Sequence, residues 1–480
     1  MSGKVYITGA GCGKADMISL RALSVLEKAD VVIYDRILGD GVLELIPKKC
    51  EKINVGKASG AHTVSQDGIN RILLEKAGEG KIVVRLKGGD PFIFGRGGEE
   101  AEFLYENGIP FEVIPGISSS YAAAELAGIP ITYRGYSSSV HIMTGHFKDD
   151  REINYNALTK AGGTFVFLMG LKNADKIQDG FLAAGLDKNT PCAVIENGGT
   201  AEERIGTTDI AHLAETAKGY ISPSIIIIGK VCELHRKLYK RKPLADRHIV
   251  IARPYERSME LKRMLEEEGA GISIVPCIRI KPFDTDIQML VKSIFEHRYI
   301  VFTSRTGVKL VMEKLLSEKY DSRIFGGKSI AVIGGGTALE LRKYGINADI
   351  MPKRYYSDER AKLRVSENAD NILMLRAKNG SKDMERIFGE NNIDYKTLYV
   401  YESEKEEKQE LPEKYDTVIF ASPSEAEFFK TGMGDKIHDI KAVCIGEKTL
   451  AAARKRGFDC LVAAEQSDRG IYECIMNGGK

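Results

Sequence analysis

The sequence predicts an α/β fold, and three observations predict it. Short β-branched runs recur along all 480 residues. Amphipathic stretches of helical period fall between them. The runs themselves are continuously apolar, which suits parallel strands covered on both faces. Val5–Thr8, Val31–Tyr34, Ile82–Leu86, Thr164–Leu168 and Ile225–Ile228 read as such strands. Ser19–Glu27, Gln66–Ala77 and Glu99–Tyr105 read as helices between the earlier ones.

Composition sets the outer bounds. At about 150 residues per domain the length suggests roughly three domains, and more than one in any case. A hydrophobic share of 43% and a charged share of 28% belong to a packed chain and exclude a disordered one. Lys+Arg 69 against Asp+Glu 67 gives +2, too weak a field to argue for nucleic acid. Anionic partners must then be caught by local basic clusters. No apolar run nears the roughly 18 residues that span a bilayer. The opening MSGKVYITGAG reads as a strand with a turn rather than a leader. Eight scattered cysteines without a C-x-x-C pair fit free buried thiols in a reducing cytoplasm, and no metal site is expected.

Arg236–Arg247, RKLYKRKPLADR, carries five basic residues in its first seven positions and then a proline. It reads as a linker, with a basic helix end as the alternative. The expected organisation is therefore a domain over 1–235, a linker over 236–247 and a second domain over 248–480, opened by the strand Ile249–Ala252. The second domain holds an internal echo. GGGTALELRKYG at 334–345 and GEKTLAAARKRG at 446–457 both fit G-x-x-T-x-x-x-x-R-K-x-G. VFTSRTG at 301–307 and IFASPSE at 419–425 precede them, each a strand with a small polar turn. Two similar α/β lobes are implied, with ligands at the carboxyl ends of their strands. Gly334-Gly335-Gly336 lacks the spacing and the acidic partner of a dinucleotide site.

The first domain carries the denser motifs. Gly9-Ala10-Gly11-Cys12-Gly13 follows the first strand, where glycines let main chain approach a ligand closely. It is neither a P-loop nor G-x-G-x-x-G, and a tight packing turn is the plainer alternative. Asp35 in VVIYDR stands at a strand exit, as an active-site carboxylate or a helix cap. Lys57 follows a glycine in VGK. RLKGGDPFIFGRGGE at 85–99 holds five glycines directly after a strand. So much glycine costs backbone entropy and persists as a shaped binding loop. Pro115-Gly116-Ile117-Ser118-Ser119-Ser120 sets hydroxyls ahead of an Ala-rich helix, Tyr121–Ala127. His141 and His146, five apart on a strand and turn, do not suit metal ligation.

These motifs resemble the uroporphyrinogen-III C-methyltransferases of the tetrapyrrole methylase family. The resemblance runs from Val5 to about Val231. It rests on the GAG-x-G turn, VVIYDR, VGK, KGGDPFIFGRGGEEAE, PGISS, TGH at 144–146, MGL at 169–171 and ENGGT at 196–200. It implies a two-lobed tetrapyrrole methylase fold, a homodimer through this half, and S-adenosylmethionine as methyl donor. By position it places the donor against Cys12, Gly88, Gly89, Asp90, Ile93, Ser118, Ser119, Met169 and Gly198. It makes Asp35 the proton acceptor and Lys57 the proton donor. Lys57, Lys87, Arg96 and Arg134 are the basic anchors for substrate carboxylates. The sequence departs from the family at Cys12, Lys14 and Ala15, where proline, aspartate and proline are usual, and at Tyr133, where histidine is.

The second domain is similar to uroporphyrinogen-III synthase. The match is one of pattern: Ala252-Arg253-Pro254, FTSRTGV, the two G-x-x-T repeats, Leu375-Arg376, ASPSE and Val400-Tyr401. The resemblance implies two flexibly linked α/β lobes, flavodoxin-like in plan. It also implies cyclisation of hydroxymethylbilane with inversion of the last ring, without a cofactor. Thr303, Ser304, Ser422, Ser424, Thr337 and Thr449 are the hydroxyls placed to hold carboxylates, with turn or cap roles as the alternative. Arg253 and Arg376 add charge. Tyr401 is matched to loss of the substrate hydroxyl, or is a core tyrosine. The two activities would be consecutive, since one makes uroporphyrinogen III and the other consumes it to give precorrin-2 on the sirohaem and cobalamin branch. A cytoplasmic protein with small tetrapyrrole partners is expected, and neither nucleic acid nor membrane. The alternative is a methylase of a later corrin intermediate joined to a non-catalytic binding module.

Overall fold

The structure is a computed structural model that describes residues 3–39, 41–56, 64–145, 153–351, 371–380, 382–431 and 434–478. Two compact units divide it, one of residues 1–248 with 265–271, the other of 249–264 with 272–480. Among the described residues no helix is long and apolar enough to cross a membrane.

The first unit holds two five-stranded sheets. Strands β1 (Lys4–Gly9), β2 (Val31–Tyr34), β3 (Glu51–Asn54), β4 (Ile82–Lys87) and β5 (Phe111–Ile114) form the first, in the order β3-β2-β4-β1-β5. All its pairings are parallel. One face buries Val32, Val84 and Leu86 against the helix Leu20–Leu26. The other buries Val5, Ile7, Ile33 and Val83 against the helix Gln66–Gly78. Burial on both faces is why these strands read as unbroken apolar runs. Every strand therefore ends its carboxyl side on one edge, where Gly9 closes β1 and Asp35 and Gly88 follow β2 and β4.

Strands β6 (Val140–Thr144), β7 (Thr164–Leu168), β8 (Pro191–Glu196), β9 (Arg204–Asp209) and β10 (Ser224–Ile228) form the second sheet, in the order β6-β7-β10-β8-β9. Here the parallel expectation for Thr164–Leu168 and Ile225–Ile228 needs correction. β10 runs antiparallel to both β7 and β8. Ile225 and Ile227 pack on one face with Ala122 and Ala123, while Ile226 and Ile228 pack on the other with Phe181 and Leu213. Burial on both faces dictates the apolar run, whatever the strand direction. The segment His235–Leu238 is a helical turn, and Tyr239 donates its hydroxyl to Glu203 at 3.3 Å.

The second unit also holds two sheets, and they are interleaved along the chain. Its remaining strands are β11 (His248–Ile251), β12 (Gly271–Ile274), β13 (Ile278–Pro282), β14 (Tyr299–Phe302), β15 (Ser329–Val332), β16 (Ile372–Ala377), β17 (Tyr395–Lys405), β18 (Thr417–Phe420), β19 (Lys441–Cys444) and β20 (Asp459–Val462). One sheet has the order β12-β11-β18-β19-β20, the other β13-β17-β16-β14-β15. The second lobe is thus inserted between β12 and β18 of the first. Parallel pairing holds from β11 through β20 and from β17 through β15, while β13 is antiparallel to β17.

Candidate functional site

Three strand-end turns of the first sheet meet through glycine main chain. Gly11 donates its N–H to Gly89 O at 3.2 Å, and Gly89 donates back to Gly11 O at 2.8 Å. Gly11 and Gly89 have φ of +81° and +65°, which L side chains adopt rarely. A Cβ on Gly9 would fall 2.6 Å from both Gly89 O and Gly116 Cα, and one on Gly116 would fall closer still to Gly89 O, so the turns close up because Gly9 and Gly116 lack one. Above Gly89 the space is open. A Cβ there would have Ser119 N at 3.6 Å and Ser118 Cα at 3.8 Å as its nearest neighbours. This shelf leaves main chain open to a ligand.

The loop is held by Asp90. One of its oxygens accepts from Phe92 N at 2.8 Å and Ile93 N at 3.2 Å, the other from Gly116 N at 3.0 Å. Asp90 thus staples the 85–99 loop to the 116 turn. Ile93 is exposed, beside exposed Phe92 and Phe94. Ser118 caps the helix Ser119–Leu126, and its buried hydroxyl pairs with that of Ser120 at 2.9 Å. Its oxygen already has two local partners, which makes it a cap. Cys12 is buried with Sγ 3.5 Å from Gly198 O, so two expected donor residues meet. Burial, with Glu203 nearby, pushes the Cys12 thiol up to about 11. A small apolar side chain therefore stands where the family usually has proline. Met169, at φ +55°, is half exposed in the turn after β7.

Asp35 leaves β2 at the edge of a 370 Å³ cavity lined also by Tyr34, Arg36 and Leu38. Its carboxylate accepts from Arg85 Nη2 at 2.7 Å and has Lys87 Nζ at 3.9 Å. Lys57 and His146 lie outside the described residues. Lys87, expected as an anchor for substrate carboxylates, is buried and already paired with Glu100 at 3.0 Å. Arg96 is exposed and chelated by Glu99 at 2.9 and 2.6 Å. Arg134 is exposed in the turn that Tyr133 N closes onto Ser137 O at 3.0 Å. The arginine and glutamate behind Asp35 were missed from sequence. The signal that would have found them is the charged Arg85 and Lys87 in the otherwise apolar strand IVVRLK.

In the second unit, Ser304 caps the helix Arg305–Ser317 by accepting from Gly307 N at 3.0 Å. The same oxygen pairs with Tyr401 Oη at 2.9 Å, and Tyr401 is 6% exposed. Thr303 donates its N–H to Leu375 O at 3.4 Å, so its main chain is fixed beside that pair. Ser422 caps the helix Pro423–Phe428, and Glu425 holds the residue before the cap. Glu425 N donates to Ser422 Oγ at 3.3 Å, and Glu425 Oε2 accepts from Ala421 N at 2.6 Å. Burial holds the Glu425 carboxyl above its ordinary range. The two echoed turns are structurally alike. Thr337 N donates to Gly334 O and Thr449 N to Gly446 O, each at 3.0 Å. Both threonine side chains are buried, which puts Thr449 inside its helix start. Arg253 is gripped by Asp468 at 2.7 and 2.9 Å, and Arg376 faces Glu385 at 3.3 Å, so each already has a carboxylate partner. Arg257, missed from sequence, donates to Thr306 Oγ1 at 2.5 Å.

The chain matches known proteins along both halves. Residues 4–214 match the model of the Tetrapyrrole (Corrin/Porphyrin) Methylases, and residues 259–472 that of Uroporphyrinogen-III synthase HemD. A porphyrin biosynthesis protein HemD of Ruminiclostridium josui is 38% identical over 99% of this chain and 98% of its own length. Uroporphyrinogen-III C-methyltransferase of Bacillus subtilis is 47% identical over 49% of this chain and 93% of its own. The chain spans about half the length of several siroheme synthases it matches. A uroporphyrin-III C-methyl transferase structure from Thermus thermophilus, complexed with S-adenyl homocysteine, is 36% identical over 48% of this chain and 100% of that one, with a TM-score of 0.43. The chain belongs to the family that joins a tetrapyrrole methylase to a uroporphyrinogen-III synthase in one polypeptide, a bifunctional enzyme of tetrapyrrole biosynthesis.

Proposed function

We propose that residues 1–235 transfer two methyl groups from S-adenosylmethionine to uroporphyrinogen III, giving precorrin-2. We further propose that 248–480 supply that substrate by cyclising hydroxymethylbilane with inversion of ring D, without a cofactor. The observation that carries the first reading is the glycine shelf at Gly11, Gly89 and Gly116 on the same strand-end edge as Asp35. Main chain there binds and orients the donor, and alignment supplies much of the rate. Cys12, Gly88, Asp90, Ile93, Ser118, Ser119, Met169 and Gly198 belong to the same donor site. A reduced pyrrole carbon attacks the sulfonium methyl, the sulfur–methyl bond breaks to release S-adenosylhomocysteine, and the ring carries positive charge until it sheds a proton. Asp35, at the cavity edge, accepts that proton. Lys57 is the proton donor in this reading, and Arg96 and Arg134 meet substrate carboxylates.

In the second half Tyr401, backed by Ser304, donates a hydrogen bond to the departing hydroxyl. Thr303, Ser422 and Thr449 complete the substrate site through the helix starts they occupy. The methylase half pairs two copies of the chain as a homodimer, which sedimentation velocity reads directly. A coupled assay of the intact chain tests the whole reading. Fed hydroxymethylbilane alone, it yields type III uroporphyrinogen above the spontaneous type I. With the methyl donor added, it goes on to precorrin-2. Type I product alone would favour a non-catalytic second half, and failure to methylate uroporphyrinogen III would favour a later corrin substrate.

A further inference from the structure

Behind Asp35 lie charges that the proposed proton transfer does not itself use. Arg85, Lys87 and Glu100 have side chains 2%, 4% and 0% exposed. One Glu100 oxygen accepts from Arg85 Nε at 3.0 Å, Lys87 Nζ at 3.0 Å and Gln66 Nε2 at 3.2 Å. The other is buried and has no hydrogen-bond partner among the described residues. Arg85 spends its remaining nitrogens on Asp35 at 2.7 Å and on the carbonyls of Ile33 and Leu86, each at 3.4 Å. Two cations and two carboxylates thus form a neutral set, of which only Asp35 reaches the cavity.

Such a set needs an explanation beyond stability. Well-packed apolar residues in place of a buried ion pair are often as stable or more so. What the set does provide is geometry. Glu100 takes the Nε edge of the Arg85 guanidinium, so the Nη2 edge is aimed at Asp35. We propose that Glu100, acting through Arg85, is a positioning residue that keeps the Asp35 carboxylate turned to the cavity. The proposal rests on Asp35 being the proton acceptor. Burial, reinforced by Arg85, holds the Lys87 ammonium below its ordinary range, in keeping with a site where each charge depends on the others.

The groups facing Asp35 are Arg85 and Lys87 from β4, Glu100 from the helix Gly97–Glu106, and Arg36 and Glu44 on the cavity rim. The test is the pH profile of single-turnover methylation by the full chain, with S-adenosylmethionine and uroporphyrinogen III. Glu100→Gln removes a negative charge, so the acid limb moves to lower pH. Arg85→Met removes a positive charge, so the limb moves to higher pH. The neutral double replacement Arg85→Met/Glu100→Met returns the limb toward wild type but leaves the plateau rate at least tenfold low. It also serves where Arg85→Met alone does not fold, with donor binding by calorimetry as the check. A purely structural role moves no limb. Unmoved limbs in folded variants, with Asp35→Asn slow, overturn the positioning role alone. Asp35→Asn at full rate removes the acceptor reading and this proposal with it.

Discussion

Gly11 and Gly89 exchange two main-chain hydrogen bonds, at 3.2 and 2.8 Å, across turns that both need positive φ. This two-residue bridge joins the turn after β1 to the loop after β4 and leaves a shelf of bare backbone. A β-branched residue at 89 would sit in a strained conformation costing about 1–3 kcal/mol, or about 5–160-fold in an equilibrium. Gly89→Val is therefore expected to weaken S-adenosylhomocysteine binding by at least that factor, read by calorimetry. Unchanged affinity would remove the donor from this loop.

Asp35 predicts a different split. Its carboxylate faces the cavity, while the shelf is built from glycine backbone. Asp35→Ala should keep donor affinity within about twofold and slow methylation by about 10²–10⁴-fold, the usual worth of a positioned acid–base group. Calorimetry and single-turnover rates on the same preparation decide it. Lost donor binding would make Asp35 a structural residue of the shelf.

How much of this was legible depended on range. The glycine string at 88–98 is visible because glycine costs entropy wherever it sits. Asp35 is visible because a carboxylate directly after VVIY stands at a strand exit. Glu100 is not, since its meaning comes from Arg85 fifteen residues earlier, and sequence shows it only as one acid of GGEE. The direction of Ile225–Ile228 was illegible for another reason. A strand buried on both faces has the same composition whether its neighbours run with it or against it. The echoed G-x-x-T turns were legible as a pair. The insertion of one lobe into the other was not, because β18 joins β11 across more than 160 residues.

Glu203 sets a pH dependence of stability. Burial raises its carboxyl above the ordinary range, although Gly199 N at 2.7 Å and Tyr239 Oη at 3.3 Å favour the charged form. A raised folded-state value means that the folded protein holds the proton more tightly than the unfolded chain. The penalty for a buried charge is thus full at neutral pH and fades as pH falls through the raised value. Glu203→Gln mimics the protonated form. It should raise the melting temperature of the full chain at pH 7, and the gain should shrink toward pH 4. A gain that grows on acidification would reverse the sign assigned here.

Tyr401 tests the second half. Its hydroxyl is buried and pairs with Ser304 Oγ at 2.9 Å, and Ser304 in turn caps its helix through Gly307 N. Tyr401→Phe removes one neutral hydrogen bond and leaves the serine with its cap partner, so the stability cost is about 1 kcal/mol. If the hydroxyl assists the leaving group, cyclisation falls by about 10²-fold. Spontaneous closure then overtakes it, and the product shifts from type III toward type I uroporphyrinogen. Methylation of added uroporphyrinogen III by the same variant should be unchanged, because that chemistry belongs to the other half. Type III product formed at the wild-type rate would leave Tyr401 as a core tyrosine holding Ser304 in place.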